Sequence, residues 1–381
     1  MQHGKFNVVT DGQWGSCGKG LVTTALADKH RPEIITTTNM ANAGHTAVNV
    51  DGQKFVAKAL PSATMLSKWL TNYAPWIVVG PSAAFDLTQM LHEINICGVE
   101  GKTVIHPRAG VILDKHKTAE CDQNGTKHIA STMQGCGAFL SDKIMRRKDL
   151  KLARDYDELK SYGTDKLYAF VKEVVNKEPQ SFPEAINSAM VAGTTLLHEG
   201  SQGFSLDINH GSHYPECTSR STTAVQNMAD MGVSPLNLGD IYLVIRPYPI
   251  RVGNVVENGQ TVGYSGDCYS DHHELTWAEV AKAAGAPEEV MAGELTTVTK
   301  RLRRVFTFSE RQLREAVTVN GATKIALNFA NYVDWSVFGV NQYDRLSDKV
   351  KDYISKMEDI AGIPVTVVGT GPQTDHVCFL E

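Results

Sequence analysis

The stretch Asp11 to Gly20, DGQWGSCGKG, constrains this chain more than any other. It follows a short apolar run, Phe6-Asn7-Val8-Val9, and leads into Leu21-Val22-Thr23-Thr24-Ala25-Leu26-Ala27, which reads as a helix. A strand, a glycine-rich turn and a helix in that order make an anion site. Glycines let backbone N–H groups approach a phosphate, the helix N-terminus adds partial positive charge, and Lys19 supplies a full one. The turn is not a standard P-loop, which has four residues between its first Gly and the Gly-Lys pair and then a Ser or Thr for Mg²⁺. Here Gly12 lies one residue too far from Gly18, and Gly20 follows the lysine. A glycine-rich turn with no ligand is the bland alternative, and phosphate binding accounts for more of the pattern.

The rest of the chain reads as α/β, a mainly parallel central sheet flanked by helices with long functional loops. Short β-like runs recur at Asn7–Thr10, Trp76–Val79, Thr103–Ile105, Thr194–His198, Ile241–Ile245, Lys324–Leu327 and Val365–Val368. Several are continuous apolar runs bounded by Gly, Pro or Asn, as strands covered on both faces are. Asp157 to Lys177 reads as one helix, its apolar stripe formed by Leu159, Tyr162, Leu167, Phe170 and Val174. Alternation of strands and helices points to an open parallel sheet. Long loops interrupt it at Asn39–Lys58, His116–Gly137 and Gly200–Thr223, rich in Gly, Thr, Ser, Asn and His, which suits ligand binding. No repeat or linker divides the chain, so residues 1–381 are expected to form a single domain.

Charge and cysteine content narrow the functional classes. A net charge of −5 offers no global attraction for nucleic acid or anionic membrane, and neither is expected as a partner. The 7 cysteines are scattered without a CxxC pair, so neither a zinc knuckle nor a disulfide framework is suggested. Met1-Gln2-His3-Gly4-Lys5 enters a strand without a signal-peptide core, and no long apolar run forms a membrane span. A soluble protein of the cytoplasm is the expectation.

Further segments carry chemistry. Asn42-Ala43-Gly44-His45-Thr46 places a histidine in a polar loop, where it can act as a general acid or electrostatic stabiliser, although a lone loop histidine is more often an ordinary surface residue. Glu199-Gly200-Ser201-Gln202-Gly203 follows a strand, at the sheet edge where open α/β sheets bind ligands. Thr218 to Thr223 is dense in hydroxyl donors. Thr296–Arg304, TTVTKRLRR, is basic at its end and suits a clamp on a dianionic substrate better than nucleic acid, since nothing aromatic is interleaved.

Taken together, these segments resemble the adenylosuccinate synthetase family. The family's GxQWGDEGKGK is similar to Gly12–Gly20, its NAGHT stands intact at Asn42–Thr46, and its EGAQGxxLDIDHGTYP looks like Glu199 through Pro215. Its VTSSNTT resembles Cys217–Thr223, its STRVG resembles Pro249–Gly253, its TTGRRRR resembles Val298–Arg304, and its STGP resembles Gly369–Pro372. The resemblance implies a C–N-forming ligase that joins L-aspartate to C6 of a 6-oxopurine nucleotide through a 6-phosphoryl intermediate, with Mg²⁺ as cofactor. It implies catalytic roles for Ser16, Lys19, His45 and Gln202. The triphosphate would lie against Gly15, Ser16, Gly18, Lys19, Gly20, Gly44, His45 and Thr46, with Arg303, Asn328, Phe329, Gly369, Thr370 and Gly371 beyond them. Ser16, Asn42, Ser131, Thr132, Gln202, Thr218 and Val252 would hold the purine nucleotide, and Arg146 would reach it from the second subunit of a homodimer. Val298, Thr299 and Arg301 would bind L-aspartate. Ser16 and Gly44 would contact the metal.

Departures from the family pattern bear on the substrate. The catalytic Asp of GDEGKGK is Ser16 here, and the Glu after it is Cys17. Serine is a poor base and a weak metal ligand near neutral pH. Either activity is lost, or the shorter, uncharged side chain leaves room for the 2-amino group of guanine. The latter pattern resembles the phage synthetases that act on dGMP on the way to 2-aminoadenine DNA. The family's guanine-reading TKLD corresponds to Leu327-Asn328-Phe329-Ala330, which has no carboxylate. ATP or dATP is therefore the expected donor, with Phe329 stacking on the base and Asn328 pairing with adenine, unless Phe329 is simply core. The family's TTGRG reads Ser131-Thr132-Met133-Gln134-Gly135, without its arginine. A dGMP-using synthetase is the leading expectation. An IMP-using adenylosuccinate synthetase and an inactive nucleotide-binding protein are the alternatives.

Overall fold

The computed structural model describes residues 1–121, 126–296 and 300–380. A 9-stranded sheet runs through it. Its strands are β1 (Phe6–Asp11), β2 (Ile34–Thr37), β3 (Trp76–Val79), β4 (Thr103–Ile105), β5 (Leu196–Glu199), β6 (Leu238–Ile245), β7 (Lys324–Leu327), β8 (Val365–Gly369) and β9 (Val377–Phe379). Their order across the sheet is β9-β8-β7-β6-β1-β5-β2-β3-β4. Every pairing is parallel except that of β8 with the edge strand β9.

The sheet is buried on both faces because its strands alternate apolar residues to each side. Phe6, Val8, Ile34, Leu196, Ile245 and Ile325 pack with the helices Asp165–Val175, Phe182–Val191, Glu310–Asn320 and Asp348–Ala361. Val9, Ile35, Leu197, Val244 and Ala326 pack on the other side with α1 (Lys19–His30) and the helix Leu87–Cys97. Each fully buried Leu, Ile or Phe contributes about 1.5–3 kcal/mol. A small antiparallel sheet of Ile250–Arg251, Glu274–Leu275 and Arg304–Phe306 flanks the carboxyl edge of the main sheet, backed by the helix Trp277–Ala284.

All the β-like runs of the sequence fall on strands of this sheet. Strands β2 and β9 went unread. In β2 two isoleucines are followed by two threonines, too short an apolar run to register, yet all are buried between β5 and β3. The expected helix over Asp157–Lys177 is broken: a 3₁₀ segment covers Asp157–Tyr162 and an α-helix Asp165–Val175. Gly163, extended at ψ 165°, separates them, and glycine is a weak helix former. The Asn39–Lys58 loop contains a hairpin in which His45–Val48 pairs with Lys54–Ala57. All 7 cysteines are free. No helix among the described residues is long and apolar enough to cross a membrane.

Candidate active site

The glycine-rich turn leaves β1 at the carboxyl edge of the sheet and enters α1. Gly18 caps the helix in the left-handed region at φ 84°, a conformation that favours glycine. Gly20 is required by a close approach, since a Cβ there would lie 2.8 Å from the Thr46 backbone nitrogen. The turn and the His45 hairpin are thereby held together.

Asp11, the last residue of β1, organises the turn from beneath. Its fully buried carboxylate accepts the backbone N–H of Gln13 (2.9 Å), Gly15 (3.2 Å) and Cys17 (3.1 Å), and the Lys19 ammonium at 3.2 Å. Lys19 Nζ also donates to the Gln202 carbonyl at 2.6 Å. The Cys17 thiol donates to Asp11 (3.3 Å) and to Gln13 Oε1 (3.0 Å). Burial and the Asp11 charge push that thiol well above its usual range, so it is a neutral donor rather than a nucleophile. Sequence reading passed over Asp11, although a carboxylate closing an otherwise apolar strand is itself a signal.

Replacing Asp11 by Asn removes the charge that balances Lys19. We expect about 3–5 kcal/mol less unfolding free energy, the usual effect of breaking a buried ion pair from one side. Urea denaturation reads this directly, and an unchanged midpoint would show that the turn does not depend on Asp11.

His45 stands beside the turn, 8% exposed, with Nδ1 at 2.9 Å from Glu199 Oε1. Glu199 ends β5 and also accepts the backbone N–H and hydroxyl of Ser62, the latter at 2.9 Å. Burial pushes its carboxyl up, but His45 and Ser62 outweigh that and hold it below the usual carboxylate range. A buried carboxylate on Nδ1 fixes the ring and leaves Nε2 as the nitrogen available to a ligand.

A cleft of about 780 Å³ opens over these groups. Gly15, Ser16, Gly18, Lys19 and Gly20 line one wall, with Asn42, Gly44, His45 and Thr46 beside them. Ser131, Thr132, Gln202, Thr218, Val252, Arg303 and Phe329 also line the cleft. Ser16 and Gln202 both take the left-handed backbone, at φ 58° and 60°. Asp207 shapes the Gly200–Thr223 segment by accepting the N–H groups of Asn209, His210 and Thr222 and the Ser221 hydroxyl.

The remaining expected residues stand elsewhere. Asn328 does not line the cleft and is not available to pair with adenine. Its Nδ2 donates to the carbonyls of Cys17 (3.1 Å) and Gly18 (3.3 Å), and its Oδ1 accepts the Phe329 N–H. Gly369, Thr370 and Gly371 lie behind it rather than on the cleft wall; the Thr370 hydroxyl is fully buried and donates to the Val340 carbonyl at 2.7 Å. Phe329 is half-buried and lines the cleft, and the Arg246 guanidinium lies 3.9 Å from its ring centroid. Arg146 is exposed just past the helix Cys136–Ile144 and takes no part in this cleft. Arg301 reaches the cleft's rim, donating to the carbonyls of Ala130 (2.8 Å) and Ser131 (3.1 Å). Val298 and Thr299 lie outside the described residues.

Among the described residues no group of three His, Cys, Asp or Glu side chains is placed to hold a metal ion. Ser16 and Gly44 offer neutral oxygens, and Asp11 is already committed to the turn. Such donors suit a Mg²⁺ that arrives on a triphosphate and keeps much of its water, not one caged by protein.

An anion cradle, an oriented histidine and the guanidinium groups of Arg301 and Arg303 around one cleft fit phosphoryl transfer from a nucleotide. A family model described as adenylosuccinate synthetase matches residues 8–167 and 148–335. The adenylosuccinate synthetase of Methanocaldococcus jannaschii is 32% identical, covering 98% of this chain and 96% of its own. The N6-succino-2-amino-2'-deoxyadenylate synthase of Salmonella phage PMBT28 is 36% identical, over 87% of this chain and 86% of its own. The succinoaminodeoxyadenylate synthetase of cyanophage S-2L, solved with dGMP and dATP, superposes with a TM-score of 0.77 at 30% identity, covering 98% of this chain and 95% of that one. With the motifs of the sequence now gathered around one nucleotide-sized cleft, the chain belongs to the adenylosuccinate synthetase family of C–N-forming ligases.

Proposed function

We propose that this chain condenses L-aspartate with C6 of dGMP, driven by ATP or dATP, to give 2-amino-2'-deoxy-N6-succinyladenylate, ADP (or dADP) and phosphate. The observation that carries the reading is Ser16, an exposed neutral side chain at the tip of the turn, facing the cleft where the family has a carboxylate. A carboxylate there would crowd the 2-amino group of guanine beside N1, and the shorter serine leaves that group room. The phage relatives, named for the 2-amino-2'-deoxy product, and the cyanophage structure with dGMP and dATP support it.

In this reading Lys19 and the outward N–H groups of the turn hold the γ-phosphate, while His45, fixed by Glu199, stabilises charge as it passes to the purine O6. O6 takes the phosphoryl group, ADP leaves and N1 loses its proton to solvent. The aspartate amine then adds at C6 and gives up a proton to solvent, and phosphate departs with the former O6. Gln202 steadies the base, and Asn42, Ser131, Thr132 and Thr218 grip the sugar and phosphate, with Val252 against the nucleotide. Phe329 stacks on the donor base. Thr299 and Arg301 take the aspartate carboxylates, with Val298 beside them. Ser16 and Gly44 would contact Mg²⁺, which when bound to the triphosphate supplies charge neutralisation. Arg146, exposed and remote from its own cleft, is suited to complete the cleft of a second copy in a homodimer. The whole of residues 1–381 would act as one unit in the cytoplasm.

Phosphate release by the purified protein with ATP, Mg²⁺ and L-aspartate tests the reading when dGMP is compared with IMP. Turnover with dGMP and little with IMP is expected. Turnover with IMP alone would return the chain to ordinary adenylosuccinate synthesis, and silence with both, in folded protein that binds ATP, would make it a nucleotide-binding protein without activity.

A further inference from the structure

Arg246, the residue after β6, is fully buried and lies where three parts of the cleft meet. Its main chain exchanges hydrogen bonds with the Gln13 carboxamide, at 3.1 Å from its N–H and 3.0 Å to its carbonyl. Its Nη1 donates to the Ser16 carbonyl at 3.1 Å, a second hold on the turn besides that of Asp11. Both Nη1 and Nη2 donate to the Glu294 carboxylate, which also accepts the Tyr332 hydroxyl at 3.1 Å. The guanidinium lies 3.9 Å from the Phe329 ring centroid, and Tyr332 meets that ring edge-on at 5.2 Å.

Glu294 is the root of a hairpin. Its carbonyl accepts the Arg303 N–H at 2.9 Å, and across the hairpin Thr296 N–H donates to the Arg301 carbonyl at 2.9 Å. The segment it presents is the one that carries Arg301 and the expected aspartate contacts. Burial works against the Arg246 charge, but the Glu294 carboxylate outweighs it and keeps the pair ionised. One buried guanidinium therefore touches the Ser16 turn, the Phe329 platform and the hairpin root. Together they use both Nη groups and the flat face of a planar, forked cation that lysine does not reproduce.

We propose that Arg246 is a positioning residue that sets the donor-base platform and the aspartate hairpin as one body, so that ATP and L-aspartate depend together on its pairing with Glu294. It touches neither substrate and acts through Phe329 and Glu294. The proposal rests on the assignment of those two segments made above.

The test measures KM separately for ATP, L-aspartate and the monophosphate in Arg246→Lys and Glu294→Gln, alongside thermal stability. Both variants are expected to raise KM for ATP and for L-aspartate by about tenfold, the effect of losing a charge-assisted hydrogen bond, and Glu294→Gln, which leaves the Arg246–Ser16 contact in place, keeps KM for the monophosphate within about twofold of wild type. A purely structural role would shift all three constants together with stability. That result, or a change confined to one of ATP and aspartate, would overturn the proposal. Should Arg246→Lys fail to fold, Glu294→Gln, equal in shape, decides alone. The assay uses whichever monophosphate the wild type turns over, so a protein that accepts only IMP would refute the dGMP reading and still test Arg246.

Discussion

Replacing Lys19 by Met lowers the kcat/KM for phosphate release by about 10³-fold, the scale of losing one preorganised charge from a phosphoryl-transfer site, while the protein stays folded. The asymmetry with Asp11 is the reason for both halves of that expectation. Without Lys19, the Asp11 carboxylate keeps the N–H groups of Gln13, Gly15 and Cys17 and the Cys17 thiol as donors. Its burial remains compensated and the turn keeps its shape. What disappears is the full positive charge at the foot of the cleft, since Lys19 lines it and is held there by Gln202 and Asp11. Steady-state phosphate release together with circular dichroism checks both. Full activity in Lys19→Met would place the γ-phosphate elsewhere.

Replacing Ser16 by Asp lowers turnover of dGMP by about 10²-fold or more and shifts preference toward IMP, since a longer side chain that crowds the 2-amino group is a clash built against that substrate. Position 16 is well suited to the experiment. Its backbone is left-handed at φ 58°, which Asp adopts more readily than most residues, so strain does not confound the result. The side chain is exposed to the cleft, so the new carboxylate is not forced into the core. The ratio of kcat/KM for dGMP over IMP, in wild type and variant, is the quantity to measure. An unchanged ratio would remove Ser16 as the discriminating residue.

Much of this site was legible because its residues sit in contiguous motifs at the carboxyl ends of apolar strands. The turn after β1, the Asn42–Thr46 loop and the Glu199–Gly203 segment each follow a strand, and an open parallel sheet brings such ends to one edge. What was not legible depends on side chains that meet only after folding. Asn328 looked free to read a base, yet it is spent on the carbonyls of Cys17 and Gly18, far earlier in the chain. Arg246 and Glu294 belong to no motif, and their pairing follows from β6 and the hairpin root converging behind Ser16. Strand β2 was missed for a similar reason: its burial comes from neighbours on both sides, not from its own composition.

The most direct test of the account follows the oxygen at C6. dGMP carrying ¹⁸O at that position is incubated with the protein, ATP, Mg²⁺ and L-aspartate, and the phosphate released is examined by mass spectrometry. One ¹⁸O atom is expected in each phosphate formed, because O6 leaves as part of the phosphoryl group that activated it. Unlabelled phosphate, or none from dGMP while IMP is turned over, would contradict it.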